Sequence, residues 1–452
     1  MSALPAPHAS HTSPLRHPDT RDPAVMRRRA WWLLGLNLLI PGSAQLLAGD
    51  RRWGRFAVGA TFVLWALLAA AVLLLVLWRP AALTLATNPF VLWVAQLGLI
   101  FYAVLWLVTT LNTLVLVRLV RAPANARLPI AVFAVLSIVL STGTAGYAAL
   151  LTGAGRDALG SVFAAGGIDE PIDGRYTILL LGGDAGDDRI GLRPDSMTLV
   201  SIDAGSGAVT MVGIPRNLYR APFTEGSPLW EAWPNGFDCG DDCLLAYLYP
   251  WAEEHPELYP DAEREGSTPA IEAMKDAVGG VTGIEVQYAV LIDMAGFARL
   301  VDALGGVRVT VEETVDICVN GGPIVGEIPA GEQVLNGTLA LWYARSRCNL
   351  TDFDRMRHQR DIQEAMLRQL DPATVLTRFE AIAAASSDLV RTTVPQAMLG
   401  VLSDLAVRSR DHELVRLELA PPAVDNQFPD IGLIHELVAE AVAPRPTPTP
   451  SP

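Results

Sequence analysis

The sequence predicts an α/β protein, in which an α-helical transmembrane region precedes a three-layer α-β-α extracytoplasmic domain with a central mixed sheet. Three observations support this prediction. The first 155 residues contain three long runs without a charged residue. After residue 175, strand-like and helix-like segments alternate. All four cysteines and most of the acidic residues also lie in this later part of the chain.

Three uncharged runs predict membrane spans at about residues 56–78, 90–117 and 128–151. Each is long enough to cross the hydrocarbon core of a bilayer as a helix. Buried helices of a soluble protein are the alternative, but three such runs so close together argue against it. The runs carry no internal charge of the kind that a translocation path requires, which favours an anchor over a transporter.

Residues 31–49 are uncharged but are interrupted by the polar and helix-breaking stretch that contains Pro41 and Gly42. Arginines flank this segment on both sides, at residues 27–29 and at 51, 52 and 55. Both flanks are therefore expected to be cytoplasmic, and a re-entrant or interfacial hairpin fits better than a fourth span. Residues 1–30 are polar and are expected to be disordered and cytoplasmic.

The arginines also predict the orientation of the membrane region. Arg118, Arg121 and Arg127 lie between the second and third runs, so this connection is expected inside. Three spans with a cytoplasmic N-terminus place the chain after about residue 152 outside the cell. The predicted localisation is therefore a multi-pass membrane protein with an extracytoplasmic domain, and the lipid bilayer is one of its partners.

The two parts of the chain differ sharply in charge. Residues 1–150 contain 12 Arg and 3 acidic residues, and 22 basic and 45 acidic residues follow them. A domain this acidic repels the phosphate backbone of DNA and RNA. We therefore expect no nucleic-acid partner, and a role as a transcription regulator is disfavoured.

The four cysteines all lie in the part that is expected outside the cell. An even number in an oxidising compartment indicates disulfides. Three pairings are possible, and we favour Cys239–Cys243 with Cys318–Cys348. A zinc site formed by all four cysteines is the alternative, although only one close pair is present, whereas structural zinc sites usually have two.

The outer domain alternates between two kinds of segment. Strands are predicted at residues 176–181, 197–202, 209–214, 286–292 and 307–311. Helices are predicted at residues 268–278, 295–304 and 354–370, whereas residues 339–347 fit a helix or a strand. This alternation predicts a sheet that is covered on both faces. We place a linker at 156–174, the main domain at 175–371, a C-terminal extension at 372–442 and a Pro/Thr-rich tail at 443–452.

A loop between the first two predicted strands contains four aspartates. Asp184 and Asp195 adjoin the strand ends, and a Gly-Gly pair before Asp184 lets the backbone approach a ligand closely. Asp187 and Asp188 fit a solvated acidic loop better. Carboxylates at strand ends suit a hard cation such as Mg²⁺ (or Mn²⁺), which prefers oxygen ligands and often accompanies phosphate.

Arginines follow several of the predicted elements. Arg216 follows a strand, and Arg345 and Arg347 are two residues apart, so an extended backbone would point both to one side. Arg355 and Gln359 share one face of a helix. Each arginine alone fits a surface ion pair, but several of them beside an aspartate pair predict a site for Mg²⁺ and a pyrophosphate.

The order of these motifs resembles the LytR-CpsA-Psr family over about residues 175–371. The resemblance lies in GGD, RPDSMTLVSID, TMVGIPRN, GFARLVDALGGVRVTV, LNGTLALWYARSR and DFDRMRHQ. It implies a membrane-anchored phosphotransferase with an extracytoplasmic catalytic domain. Such an enzyme moves a glycopolymer from a polyprenyl-pyrophosphate carrier to a peptidoglycan acceptor and forms a phosphodiester.

The resemblance also implies roles for individual residues. Asp184 and Asp195 fall where the family binds its metal ion. Contacts to the lipid pyrophosphate fall on Arg193, Arg216, Arg345, Arg347, Arg355 and Gln359. Of these eight, we assign catalysis to Asp184, Asp195, Arg216, Arg345 and Arg347, and substrate binding to Arg193, Arg355 and Gln359.

Three positions depart from the family pattern. Asn217 replaces an aspartate, His358 replaces an arginine, and only Asn235 is kept of a Lys-x-Asn element. Two other functions would use much of the same site. A polyprenyl-pyrophosphate phosphatase would use water as the acceptor, and a non-catalytic lipid-phosphate binder would keep the arginines without needing the aspartate pair.

Overall fold

The computed structural model describes residues 15–16, 18–184, 192–240, 242–318, 322–348, 350–369 and 390–443, with Asp184 described by its backbone alone. The chain divides into two compact units, Met1–Arg156 and Asp157–Pro452. Each unit has its own hydrophobic core.

The first unit is helical. Its helices are α1 (Pro23–Leu39), α2 (Ser43–Ala48), α3 (Arg51–Leu77), α4 (Arg79–Thr87), α5 (Pro89–Val117) and α6 (Ala124–Val162), with a 3-10 turn at Leu119–Arg121. Among the described residues, three helical segments are long and apolar enough to cross a membrane: Arg51–Leu77, Pro89–Arg121 and Ala124–Val162. They overlap the three predicted spans and support a membrane anchor.

The segment at 31–49 forms two helices that break at residues 40–42, where the kink was predicted. Gln45 is fully buried, and its Nε2 donates to the Thr109 carbonyl at 2.8 Å and to Thr113 Oγ1 at 3.1 Å. A side-chain Cβ at Gly42 would lie 2.5 Å from Ala57 Cβ, so the break needs glycine. The short helices therefore pack against α3 and α5 through specific contacts.

Two predictions about segments that flank the apolar helices need correction in part. Helix α1 begins at Pro23 within the stretch that we expected to be disordered, because Asp22 caps it and Arg29 donates to the carbonyls of Leu15 and Leu116. Helix α6 continues to Val162, so the first part of the predicted linker at 156–174 is helical.

In the second unit, the described residues form a central sheet of six strands. They are β1 (Arg175–Asp184), β2 (Arg193–Asp203), β3 (Val209–Ile214), β4 (Tyr288–Asp293), β9 (Val390–Thr392) and β10 (Val415–Glu418). The strand order is β10-β3-β2-β1-β4-β9. The pairs β1–β4 and β10–β3 are parallel and the other three pairs are antiparallel, so the predicted mixed sheet is confirmed.

Helices cover both faces of this sheet. Side chains at alternate positions, such as Leu179 and Leu199, join a core with α8 (Leu245–Glu253), α9 (Pro269–Thr282) and α14 (Ile431–Val442). The intervening side chains, such as Val200 and Met211, pack with α13 (Leu399–Arg408) and with Leu367 of α12 (Asp352–Gln369). This alternation across the pleat gives the three layers that were predicted.

A smaller lobe adjoins the sheet. It contains two strand pairs, β5 (Val307–Val311) with β8 (Gly331–Leu335) and β6 (Val315–Cys318) with β7 (Ile324–Ile328). Helices α10 (Met294–Leu304) and α11 (Gly337–Arg345) lie nearby along the chain, and Ala340, Tyr343 and Ile362 join its core. The short helix α7 (Leu229–Ala232) and 3-10 turns at Pro256–Leu258, Gln396–Met398 and Ser409–Asp411 complete the described elements.

Cross-links and the C-terminal segment complete the second unit. Cys239–Cys243 and Cys318–Cys348 are disulfide-bonded, which confirms the favoured pairing. The segment that we treated as an extension after residue 371 supplies β9 and β10 to the central sheet. It is therefore an integral part of the fold and not an appendage to it.

Candidate functional site

A cavity of about 610 Å³ lies within the second unit, between the ends of β1, β2 and β4 and the helices α10, α11 and α12. Seven of the predicted site residues line it: Asp195, Arg193, Arg216, Arg345, Arg347, Arg355 and Gln359. These residues come from four separate segments of the chain, at 193–195, 216, 345–347 and 355–359. The strand ends and helix faces therefore converge on one site.

The eighth predicted residue, Asp184, ends strand β1 opposite Arg193 of β2. The register of the two strands shifts between Gly182 and Gly183, and both glycines line the cavity. A Cβ at Gly183 would lie 2.8 Å from a Leu192 methyl group. The backbone of Asp184 thus lies next to the cavity, whereas Asp187 and Asp188 lie outside the described residues.

The charged side chains gather at one end of the cavity, its polar end. Asp195 and Arg216 form an ion pair there. Arg216 Nη1 lies 2.5 Å from Asp195 Oδ1. Arg216 follows β3 and Asp195 is the third residue of β2, so the pairing of neighbouring strands brings them together. The ion pair thereby holds the Arg216 guanidinium group at the cavity wall, where the side chain is 29% exposed.

Arg355 and Gln359 lie one turn apart on α12, as predicted. Arg355 is only 4% exposed, and burial lowers its pKa to about 10, although nearby Asp352 acts in the opposite direction. The guanidinium group therefore stays charged at neutral pH. Gln359 Nε2 donates to the Ala344 carbonyl at 3.2 Å, which joins α12 to α11.

The geometry assumed for Arg345 and Arg347 was wrong. Arg345 is the last residue of helix α11 and Arg347 lies in the loop that follows, so no extended backbone runs through YARSR. Both side chains still line the cavity. The next residue, Cys348, is disulfide-bonded to Cys318, which also lines the cavity, and this link ties the arginine-bearing loop to strand β6.

Sequence reasoning missed Asp352, the first residue of α12. Its carboxylate lies 3.6 Å from Arg216 Nε, 3.7 Å from Arg347 Nε and 3.5 Å from Arg355 Nη2. A carboxylate in the first turn of a helix is commonly only a favourable charge for the helix dipole. Its position three residues before Arg355 was the only signal that could have indicated a site role.

Several polar atoms at this end of the cavity are buried and, among the described residues, have no hydrogen-bond partner. They are Arg193 Nε, Ser196 Oγ, Arg216 Nε, Arg355 Nε and Gln359 Oε1. A buried polar group without a partner costs free energy, and such groups are uncommon in folded proteins. Three of these five atoms are guanidinium donors, so an anion is the ligand that would satisfy most of them.

The remainder of the cavity is apolar. Its lining includes Val290, Ile292, Phe297, Leu300, Trp342 and Met366. Arg193, at the polar end, lies with its Cζ 4.7 Å from the centre of the Tyr247 ring. The cavity therefore suits a ligand that combines a charged group with a hydrocarbon chain.

The three residues that depart from the family pattern have different surroundings in the structure. His358 is buried and stacks on Tyr343 with ring centres 4.3 Å apart, and burial lowers its pKa, so it is neutral at pH 7. It does not supply the positive charge of the arginine that it replaces. The backbone carbonyl of Asn217 accepts from Asn426 Nδ2 at 3.2 Å. Asn235 is exposed and is not among the residues that line the cavity.

The carboxylates can be compared with what Mg²⁺ requires. In the parts of the chain that the structure describes, no three His, Cys, Asp or Glu side chains are arranged to hold a metal ion. Mg²⁺ is commonly bound by one or two carboxylates together with water and substrate phosphate. Arg216 occupies Asp195 Oδ1, which leaves Oδ2 to meet a cation. Asp195 together with a substrate phosphate fits that chemistry.

The fold and the cavity together define a class of membrane-anchored α/β protein whose site suits an anion with an apolar tail. Residues 167–419 match the LytR_cpsA_psr family, and the chain belongs to this family. The match extends well beyond residue 371, where the sequence resemblance faded, and it includes the residues of β9 and β10.

Two relatives are cell-wall proteins. The chain is 28% identical over 243 residues to the cell wall biosynthesis protein LcpA of Corynebacterium glutamicum, covering 49% of this chain and 45% of that protein. It is also 28% identical over 220 residues to the polyisoprenyl-teichoic acid–peptidoglycan teichoic acid transferase TagU of Halalkalibacterium halodurans. That match covers 48% of this chain and 60% of TagU. The chain thus spans about half the length of these relatives.

Two solved structures are also similar. TagV of B. subtilis has a TM-score of 0.42 and 21% identity, covering 62% of this chain and all of that one. The LytR-Csp2A-Psr enzyme of Actinomyces oris has the same TM-score and identity, covering 62% and 96%.

Proposed function

We propose that this chain is a Mg²⁺-dependent phosphotransferase that attaches a glycopolymer to peptidoglycan. The donor is a glycan on a polyprenyl-pyrophosphate carrier, and the product is a phosphodiester. The observation that carries this proposal is the cavity with an arginine-rich end and an apolar end. The similar proteins LcpA, a cell wall biosynthesis protein, and TagU, a teichoic acid transferase, support the same class of reaction.

The reaction exchanges one phosphate ester for another. A hydroxyl oxygen of the acceptor sugar attacks the phosphorus that carries the glycan. The bond from that phosphorus to the bridging oxygen breaks, polyprenyl phosphate leaves with the electron pair, and the hydroxyl proton passes to solvent. Negative charge builds up on the transferred and leaving phosphates, so groups that stabilise this charge lower the barrier.

The arginines supply that stabilisation. Arg216, Arg345 and Arg347 carry fixed positive charges at the cavity wall, and guanidinium groups bind phosphate oxygens in pairs. Arg193, Arg355 and Gln359 bind the pyrophosphate and hold it in place. A metal ion bound by Asp184 and Asp195 would supply further positive charge to the phosphate oxygens. The apolar lining holds the first part of the prenyl chain.

The location follows from the membrane region. We infer that the N-terminus is cytoplasmic, that the three apolar helices cross the bilayer and that the second unit is extracytoplasmic. Two disulfides in the second unit support this side of the membrane, since disulfides persist in oxidising compartments. Anchoring keeps the site close to a lipid-linked donor and raises its effective concentration.

The test uses the full chain in detergent micelles with a synthetic polyprenyl-pyrophosphate glycan, a peptidoglycan oligomer and Mg²⁺, followed by mass spectrometry. A phosphodiester-linked glycan that is absent with Asp184→Ala and Arg345→Ala supports the proposal. Arg308→Ala is the matched control, because Arg308 lies on β5 and is exposed. Glycan phosphate without transfer indicates a phosphatase, and binding without product indicates a lipid-phosphate binder.

A further inference from the structure

Asp352 connects parts of the site that come from three segments. It lies within 3.5–3.7 Å of Arg216, which follows β3, of Arg347, which follows α11, and of Arg355 on its own helix. The carboxylate is 30% exposed, whereas Arg355 is 4% exposed. One acidic group thus faces three guanidinium groups that would otherwise face one another.

Guanidinium groups that converge on a cavity repel one another, and the repulsion is strongest where burial removes water. Arg216 also contacts Asp195, but Arg347 and Arg355 meet their ion-pair partner in Asp352. The Cys318–Cys348 disulfide ties the loop backbone, but among the described residues the ion-pair partner of the exposed Arg347 side chain is Asp352. Without this carboxylate, the three charges would separate in the empty site.

We propose that Asp352 is a positioning residue, which holds Arg216, Arg347 and Arg355 in the arrangement that the transferring phosphate requires. The inference rests on the proposed phosphotransfer, and it names a group that the motif analysis left without a role. Asp352 acts through the arginines. It stands in for the anionic ligand while the site is empty, and a pyrophosphate takes over part of its contacts on binding.

This role has opposite consequences for binding and for rate. Removing the negative charge leaves the site more positive, so affinity for a pyrophosphate is kept or increased. The arginines lose their alignment, however, and a displacement of about 1 Å at a reacting centre can cost about 10²-fold in rate. A residue that only supported the fold would weaken both properties together.

The experiment compares Asp352→Asn with the parent chain in detergent micelles. Binding of farnesyl pyrophosphate with Mg²⁺ is measured by calorimetry, and transfer is measured with the glycan donor and peptidoglycan oligomer. We expect Asp352→Asn to bind within about threefold of the parent, or more tightly, while kcat falls about 10²-fold. Asp352→Glu keeps the charge and is expected to restore part of kcat.

Asp354→Asn is the matched control. Asp354 lies two residues away in the first turn of α12, where it accepts from Thr351 N at 2.9 Å and pairs with Arg357. It should leave both kcat and binding close to the parent values. A parallel loss of affinity and kcat in Asp352→Asn, an equal loss in Asp354→Asn, or an unchanged kcat would overturn the inference. A parent chain that neither binds nor transfers would overturn the proposed function as well.

Discussion

The ion pair between Arg360 and Glu418 is expected to anchor α12, the helix that carries Arg355 and Gln359. Arg360 lies on α12 directly after Gln359 and is 1% exposed, and its Nε is 3.0 Å from Glu418 Oε1 on β10. Arg360 also donates to Thr198 on β2 and to Gln363. Burial lowers the pKa of Arg360 and raises that of Glu418, so desolvation opposes both charges.

Glu418→Ala leaves the Arg360 charge buried without its partner. Breaking a buried pair in this way costs about 3–5 kcal/mol, and the 30% exposure of the Glu418 side chain favours the lower end, about 3 kcal/mol. At roughly 2 °C per kcal/mol for a unit of this size, the unfolding temperature falls by about 6 °C. Glu418→Gln keeps the volume and an oxygen for Arg360, and we expect a smaller loss.

The assay is thermal unfolding of the full chain in detergent, with hydrogen exchange to follow the α12 amides. Glu332→Ala is the control, because Glu332 is 65% exposed in its pair with Arg308 and such pairs are worth less than about 1 kcal/mol. The reasoning is refuted if Glu418→Ala unfolds at the same temperature as Glu332→Ala, or if α12 keeps its protection. Either result would mean that the other contacts of α12, such as the Arg416 pairs with Asp361 and Glu364, hold the helix without this ion pair.

Three further predictions follow from the site. Replacing Cys318 and Cys348 with Ser frees the Arg347 loop, so transfer should fall at least about 10-fold, whereas Ser at Cys239 and Cys243 should leave it unchanged; a product assay under matched conditions decides. Because the pKa of His358 is lowered in the folded chain, the folded chain binds fewer protons than the unfolded chain as the pH falls. Neutral His358 therefore contributes its full stability above about pH 6.5, and this contribution is lost at lower pH. His358→Phe should therefore make the decline of the unfolding temperature between about pH 7 and 5 shallower, and an identical decline would contradict this. Chelation of divalent cations should stop transfer without lowering the unfolding temperature by more than a few degrees, and added Mg²⁺ should restore it; transfer that survives chelation would remove the metal from the proposal.

The four inner strands could be predicted from the sequence because each is marked by a short apolar run. The convergence of the site residues could be predicted because several of them lie next to the ends of these strands. Apolar runs marked β1, β2, β3 and β4, and residues next to strand ends lie at a common edge once the strands pair. Arg216 could be placed beside Asp195 only in this general way. The ion pair itself depends on the register of β2 with β3, which no local pattern specifies.

Other features depended on contacts that are distant in sequence. Strands β9 and β10 have only three and four residues, too few for a clear alternation, and they are strands because β4 and β3 offer open edges. Asp352 reaches Arg216 across more than 100 residues, so its role in the site could not be read from DFDRMRHQ. Helix α11 ends at Arg345, and by its sequence the segment at 339–347 fitted a strand equally well.

The strand order determines when the edges of the central sheet become paired as the chain is synthesised. Both outer strands of the central sheet, β9 and β10, come from residues 390–418, whereas the inner strands are complete by residue 293. A chain that is synthesised from its N-terminus therefore leaves the edges at β3 and β4 unpaired until residues 390–418 follow. Unpaired edges favour aggregation. Pairings this distant in sequence also form slowly. Premature termination near residue 371 would therefore yield an aggregation-prone product, even though every residue assigned to the cavity's polar end had already been synthesised.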